Sequence, residues 1–135
     1  MKKLILLSIL LIVGCATHTK ILTHQDLSLA VKIKAGMTTD EVLEIMGEPI
    51  LSELDRTIEE WHYCDTAEPN IGEIQDTFVA LFFVNNKLIA KKYYRARVVD
   101  VQRFGTCENF VKMGNYEIPL EIQTILDKNS ESDKP

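Results

Sequence analysis

The spacing of apolar residues changes from a helical period to an alternating one near residue 50. Before that point the pattern predicts a short helix that Asp26 caps and that ends at Ile33, and a second helix from Thr39 to Met46. Thr38 stands at the N-cap of the second helix with Glu41 three residues later, which is the capping-box pattern.

Beyond residue 50 the pattern is that of strands joined by short connections. A strongly apolar strand is separated from a longer returning strand by Asn85-Asn86, which suits a hairpin turn because asparagine tolerates positive φ. We expect the returning strand to be bent or bulged near Arg95. The strands are predicted over residues 50–54 (weakly), 57–64, 78–84 and 88–101.

Pro119 can open a last helix that reaches Leu126, and the polar residues 128–135 are predicted to be disordered. The strand connections lack crossover helices, which favours an antiparallel sheet. The predicted fold class is therefore α+β, with two short N-terminal helices packed on an antiparallel sheet of about three strands and a short helical C-terminal extension.

The N-terminus has the pattern of a lipoprotein signal. Lys2 and Lys3 precede an apolar run that is too short to cross a bilayer as a helix, and the run ends at Gly14-Cys15. Cleavage between these residues would leave Cys15 to carry acyl chains, and two or more chains hold a protein stably on a membrane. Ala16 favours the outer membrane, facing the periplasm. The alternative is an ordinary secretion signal with an incidental cysteine.

These signals divide the chain into a signal peptide (1–14), a lipidated tether (15–25), one α+β domain (26–127) and a tail (128–135). The signal holds two lysines and no acidic residue, so its removal changes the net charge from −5 to −7 and leaves 121 of the 135 residues. That length is enough for one core. An acidic chain of this kind is a poor partner for nucleic acid.

Cys64 and Cys107 are the two cysteines that remain once lipid occupies Cys15. Unpaired thiols are unusual in an oxidising compartment, so we expect a disulfide that closes a loop of 44 residues. The alternative is two thiols that never meet, because geometry can forbid the bond.

Several short motifs together resemble a known family: residues 33–42 with the triplet Gly36-Met37-Thr38, then Gly47-Glu48-Pro49, Trp61-His62-Tyr63, and the strand 78–84 with its Asn-Asn turn. With the lipoprotein signal in front, this framework is similar to that of the SmpA/OmlA (BamE-like) outer-membrane lipoproteins. The resemblance implies two helices on a three-stranded antiparallel sheet, as in the repeat unit of the β-lactamase inhibitor protein. It also implies a non-catalytic role in outer-membrane protein assembly or envelope maintenance, with no cofactor or small-molecule substrate.

The chain departs from the pattern of the barrel-assembly members in its cysteine pair, its long segment 91–118 and its C-terminal helix. The first two features are similar to those of the osmotically induced lipoproteins of the same superfamily. Membership of the superfamily is therefore better supported than a place in the barrel-assembly complex.

The framework residues are expected to serve mainly the fold, by capping and ending the second helix, filling the core and covering the helices. They are Gly36, Met37, Thr38, Val42, Gly47, Pro49, Trp61 and Tyr63. The alternative is that Met37 or Tyr63 is exposed at the end of the domain and contacts a partner.

His62 and Cys64 share one face of their strand, so a metal site or a cysteine nucleophile is a second hypothesis. A metal site needs three or four convergent ligands, and an oxidised Cys64 could not act as a nucleophile. The preferred interpretation is a disulfide beside an exposed His62, without catalytic residues, metal or cofactor.

Lys91, Arg95 and Arg97 concentrate positive charge on one face of a strand in an acidic domain. They could bind phospholipid headgroups, peptidoglycan or an acidic protein loop. The preferred interpretation is that these cations protect an edge strand against aggregation.

The sequence therefore favours a lipid-anchored adaptor that binds another envelope protein, either a barrel-assembly component or an outer-membrane protein. A stress-induced lipoprotein that binds lipid or peptidoglycan, and a small envelope enzyme or metal protein, remain the alternatives.

Overall fold

The computed structural model describes residues 24–67, 74–98 and 116–132. Within these ranges the fold is α+β, as predicted, with an antiparallel sheet in the order β1-β2-β3-β4. The elements in chain order are a 3₁₀ helix (Leu27–Lys32), α1 (Thr39–Met46), β1 (Leu51–Asp55), β2 (Ile58–Ala67), β3 (Ile74–Val84), β4 (Lys87–Val98) and α2 (Leu120–Ser132).

The helix predicted from Thr39 to Met46 is confirmed with those bounds, but the first predicted helix is a 3₁₀ helix. Its N-cap is Asp26, whose carboxylate accepts a hydrogen bond from the backbone N–H of Ser28 at 3.0 Å. Ala30 is fully buried, whereas Val31 is 74% exposed. A 3₁₀ helix has three residues per turn, so it presents a narrower buried stripe than the α-helical spacing suggests.

The sheet of the described residues has four strands, so the prediction of three was wrong. The additional strand is β1, the segment predicted only weakly, and it pairs with β2 across a tight turn at Arg56-Thr57. Arg56 adopts a φ of 57° there. The pairing with β2 stabilises a segment whose own sequence has little preference for a strand.

The bulge lies earlier in β4 than predicted. Phe82 pairs with Ala90 and Phe83 pairs with Leu88, so Ile89 is the extra residue. Arg95, where the bulge was predicted, pairs regularly with Thr77. The bulge lets Leu88 and Ala90 both be buried, on opposite faces of the sheet.

Both faces of the sheet are covered, and we name them by what covers them. The helix face packs against the 3₁₀ helix and α1, and its buried strand residues are Trp61, Tyr63, Val79, Leu81, Phe83 and Leu88. The C-terminal face packs against α2 and the residues just before it, and its buried strand residues include Ile58, Cys64, Phe78, Ala80, Phe82 and Ala90.

α2 is longer than predicted, because residues 128–132 are helical rather than disordered. Ile122 is fully buried on the C-terminal face, with Ile125 and Leu126 partly buried beside it. Near the other end of the helix, the side-chain amide of Asn129 donates to the hydroxyl of Thr57 at 3.0 Å. This contact holds the polar end of α2 against the β1–β2 turn.

Candidate functional site

The Gly36-Met37-Thr38 loop pairs with the first part of β4. The N–H of Gly36 donates to the carbonyl of Leu88, and the N–H of Leu88 donates to the carbonyl of Met37, both at 2.8 Å. Gly36 adopts a φ of 86°, which disfavours residues with a Cβ. Space is not the reason for glycine here, since a Cβ at this position would meet nothing within 4 Å. The loop therefore joins the helices to the sheet.

Thr38 forms the predicted capping box. The hydroxyl of Thr38 accepts from the N–H of Glu41 at 3.3 Å, and the carboxylate of Glu41 accepts from the N–H of Thr38 at 2.7 Å. The N–H and the hydroxyl of Thr38 both donate to the carboxylate of Glu41, and these two hydrogen bonds lower the pKa of Glu41. Thr39 then contacts the β3–β4 turn, because the side-chain oxygen of Asn86 accepts from its N–H at 3.2 Å and from its hydroxyl at 2.6 Å.

Tyr63 and Trp61 lie beneath the helices, as the sequence predicts, and both have hydrogen-bond partners. The hydroxyl of Tyr63 donates to the carbonyl of Gly47 at 2.8 Å, and the indole N–H of Trp61 donates to the carboxylate of Glu59 at 2.6 Å. Tyr63 is fully buried, so the alternative of an exposed Tyr63 is wrong. Burial raises the pKa of Tyr63, and the charge of Glu48 adds to this effect.

The other framework residues also have structural contacts. Val42 is fully buried between the helix and the sheet, and Met37 is partly buried against the same core. Gly47 is the C-cap of α1 at a φ of 74°, and Pro49 follows before β1. Within the described residues the framework therefore builds the domain, and an open contact surface has to be sought elsewhere.

The basic residues of β4 do not form a single cationic stripe. The ammonium of Lys91 donates to the carbonyls of Ala30 and Ile33 at 2.6 and 3.0 Å, so it caps the end of the 3₁₀ helix. Lys92 lies on the C-terminal face. Its ammonium donates to the carbonyl of Glu117 at 3.1 Å and lies 3.3 Å from the carboxylate of the same residue.

Two residues near the end of β4 remain open to solvent. Arg95 is exposed, and Tyr93, on the same face of the strand, is 50% exposed. The side chain of Arg97 lies outside the described part of the chain. Among the described side chains, the contact surface predicted from Lys91, Arg95 and Arg97 therefore keeps Arg95 and gains Tyr93, which was not among the predicted contact residues. The alternation of Lys91, Tyr93 and Arg95 along the strand was the signal that could have identified Tyr93.

His62 is fully buried on the C-terminal face, so the prediction of an exposed histidine was wrong. Its Nε2 lies 2.6 Å from a carboxylate oxygen of Glu60 and 2.8 Å from the hydroxyl of Tyr116. Burial raises the pKa of Glu60, and the hydrogen bond with His62 opposes that rise. These contacts join the strand to the residues before α2.

The described ranges contain no group of three histidine, cysteine or acidic residues that could hold a metal ion. Cys64 is buried beside Phe78. Cys107 lies outside the described residues, so its pairing with Cys64 stays a prediction.

The N-terminal segment joins the sheet at the end of β2. His24 forms an isolated bridge with Asp65, and its ring Nδ1 lies 3.0 Å from the carboxylate. The side chain of Gln25 accepts from the N–H of Cys64 at 2.8 Å and donates to the carbonyl of Glu48 at 3.0 Å. The predicted signal peptide, with Gly14 and Cys15, lies outside the described residues. None of the helices described here is long and apolar enough to cross a membrane.

Two comparisons with known proteins bear on this architecture. Residues 23–93, more than half of the 135, match the family model described as the outer membrane protein assembly factor BamE domain. No curated protein matches the sequence. The matched range takes in the 3₁₀ helix, α1, β1 to β3 and the part of β4 that ends at Tyr93.

Proposed function

Because the chain belongs to the BamE family of outer membrane protein assembly factors, we propose that it acts in outer-membrane protein assembly as a non-catalytic adaptor. The family match is the observation that carries this proposal. The architecture supports membership of the family, because the framework residues Gly36, Thr38, Gly47 and Tyr63 all make contacts within the fold.

The adaptor is anchored to the outer membrane by lipid on Cys15 and faces the periplasm. Support comes from the sequence, in which a basic start and a short apolar run end at Gly14-Cys15. An anchor confines the domain to the membrane surface and raises its effective concentration there, so modest contacts with another envelope protein suffice.

A disulfide between Cys64 and Cys107 stabilises the domain in that compartment. The sequence holds three cysteines, and Cys15 is committed to lipid in this proposal, which leaves Cys64 and Cys107. These observations favour Cys107 as the partner and weigh against a cysteine nucleophile.

The alternative of a lipoprotein that binds lipid or peptidoglycan through the basic residues of β4 has less support. The ammonium of Lys91 is already hydrogen-bonded to the 3₁₀ helix, which leaves Arg95 as the exposed cation with a described side chain in this part of β4.

The anchor and the adaptor role are tested together. The full-length protein with a C-terminal affinity tag should take up labelled palmitate, and pull-down from detergent-solubilised outer membranes should recover subunits of the β-barrel assembly machinery. The matched control is Cys15→Ser, which should take up no label and leave the outer-membrane fraction. A labelled protein that recovers no envelope protein in pull-down contradicts the adaptor role, and an unlabelled wild-type protein contradicts the anchor.

A further inference from the structure

Among the described strands, β4 forms one edge of the sheet, and the first part of that edge already pairs with an extended segment. The two hydrogen bonds between Leu88 and the Gly36-Met37 loop run in the plane of the sheet on the side away from β3. Leu88 thus directs both of its backbone groups outward, and the outer edge of β4 can pair with a further segment.

The same geometry extends along the strand beyond the bulge. In an antiparallel ladder every second residue directs its N–H and C=O toward a given neighbour, and side chains alternate between faces with the same period. Lys91, Tyr93 and Arg95 lie on the helix face, as Leu88 does, so their backbone groups also point outward. Within the described ranges these three residues make no backbone hydrogen bond other than those of the sheet.

The lysines that would normally protect such an edge are turned back onto the protein. Natural sheets use charged side chains, lysine above all, to prevent pairing at exposed edges. Here the ammonium of Lys91 is bonded to the 3₁₀ helix and that of Lys92 to Glu117. The preferred interpretation of the sequence, an edge protected by its cations, therefore does not describe these two residues.

We infer that the outer edge of β4, from Ile89 to Arg95, binds an extended acidic segment of a partner protein as a fifth strand. The inference rests on the proposed adaptor function and names the kind of partner that this surface fits. Main-chain hydrogen bonds supply affinity in such strand addition, and side chains next to the strand supply specificity. Arg95 offers an exposed positive charge in a chain of net charge −5, and Ile89 and Tyr93 are 41% and 50% exposed.

A second copy of the chain is a poor occupant of this edge. A second β4 strand has no acidic side chain between Ile89 and Arg95 and brings its own exposed Arg95 to this edge. Like charges directly opposite each other destabilise a strand pair. An acidic strand in the same position would face the positive charge of Arg95 instead.

The inference is tested by peptide binding to the full chain purified in detergent. The probe is a fluorescein-labelled peptide of nine residues that alternates valine and glutamate, and its control alternates valine and lysine. Fluorescence anisotropy should show that the acidic peptide binds about tenfold more tightly than the basic one. No membrane and no assembly subunit takes part in this measurement, so its result is independent of the pull-down. Failure of peptide binding contradicts the inference about β4, whereas failure of the pull-down contradicts the adaptor role.

Two substitutions separate the main-chain and side-chain contributions. Tyr93→Pro removes an outward N–H without removing a ladder hydrogen bond, and proline is tolerated at such edge positions. It should weaken binding of the acidic peptide about tenfold, whereas Tyr93→Thr, which keeps the N–H, should weaken it less than threefold. Arg95→Glu should reverse the preference between the two peptides.

Circular dichroism shows whether each variant is folded. If Tyr93→Pro does not fold, the test rests on Arg95→Glu, which changes an exposed side chain. Equal binding of both peptides, or an unchanged preference in a folded Arg95→Glu variant, overturns the inference. A further contrary result is sedimentation of the wild type as a dimer and of Tyr93→Pro as a monomer. This result also overturns the inference, because the edge of β4 would then pair with a second copy of the chain.

Discussion

Asn86, at the tip of the β3–β4 hairpin, accepts hydrogen bonds from both the backbone N–H and the hydroxyl of Thr39, the first residue of α1. The two residues are 47 positions apart in the sequence. This contact joins the hairpin to the start of the helix and sets the position of the Gly36-Met37-Thr38 loop between them.

Replacing Asn86 with alanine should therefore destabilise the protein by about 2 kcal/mol. Part of the effect is the lost acceptor for Thr39, and part is the φ of 60° at Asn86, which alanine adopts less readily. The neighbouring turn residue provides the control. Asn85 has a φ of 50°, so Asn85→Gly should change the free energy of unfolding by less than about 0.5 kcal/mol. Urea denaturation measures both, and equal effects would show that the contact with Thr39 contributes nothing.

Lys91 should contribute to stability more than a surface lysine does. Lys91→Met keeps most of the aliphatic stem but leaves the carbonyls of Ala30 and Ile33 without their charged donor, at an expected cost of about 2 kcal/mol. Arg95→Met removes a positive charge from the same face of the strand, where the side chain is exposed, and should cost less than about 0.5 kcal/mol. Thermal unfolding of the two variants compares them directly. A Lys91→Met variant as stable as Arg95→Met would contradict the capping role.

Tyr63→Phe should lower the free energy of unfolding by about 1 kcal/mol, because it removes the hydrogen bond to the carbonyl of Gly47 from a fully buried position. Tyr93→Phe removes the same hydroxyl from a half-exposed ring and should be close to neutral. Chemical denaturation of both variants compares their free energies of unfolding. Equal values would show that the buried hydroxyl of Tyr63 contributes no more than the exposed hydroxyl of Tyr93.

Glu60 and Glu41 should affect stability with opposite dependence on pH. Burial raises the pKa of Glu60 above its ordinary value of 4.5, so the folded state holds this proton more tightly than the unfolded state. The contribution of Glu60 is then complete below pH 4.5 and is lost as the pH rises through the raised pKa. Glu41 has a lowered pKa, so its contribution is complete above pH 4.5 and is lost as the pH falls through the lowered pKa.

Denaturation of the wild type, Glu60→Gln and Glu41→Gln across this range tests both signs. The stability of Glu60→Gln relative to the wild type should increase as the pH rises above 4.5. That of Glu41→Gln relative to the wild type should increase as the pH falls below 4.5. A pair of variants that follow the wild type in parallel would show that neither carboxyl group has a shifted pKa.

The proposed disulfide gives a prediction that depends on redox conditions. Cys107→Ser should destabilise the oxidised protein by about 3–4 kcal/mol, the value expected for a loop of this length. In the presence of a reductant the variant and the wild type should have similar stability. Thiol titration of the denatured protein checks the pairing independently, since the wild type should gain two reactive thiols on reduction. A wild type that titrates both thiols before reduction would show that the bond is absent.

The parts of the fold that the sequence predicts are those whose causes lie within a few residues. The capping box at Thr38 and Glu41, the end of α1 at Gly47, and the turn at Asn85-Asn86 each follow from local backbone preferences. The alternation of Trp61 and Tyr63 with Glu60, His62 and Cys64 likewise placed the two sets on opposite faces of β2.

What the sequence did not predict depends on contacts between distant residues. His62 has the pattern of a solvent-facing position, yet it is buried because Tyr116 and α2 cover that face of the sheet. The bulge is at Ile89 rather than at Arg95. It lets the side chain of Leu88 pack in the helix-face core while its backbone pairs with the Gly36-Met37-Thr38 loop. Lys91 reaches carbonyls about 60 positions earlier, and no local pattern indicates such a contact.

Because α2 covers the C-terminal face of the sheet, truncation of this protein has a practical consequence. A fragment that stops where the family match stops, at Tyr93, would cut β4 five residues short of its end at Val98. It would also strip Ile122 from Ile58, Phe82 and Ala90 and leave these apolar side chains facing water. The shortened protein should aggregate and be poorly soluble, so biochemical work on this domain needs the C-terminal helix as well.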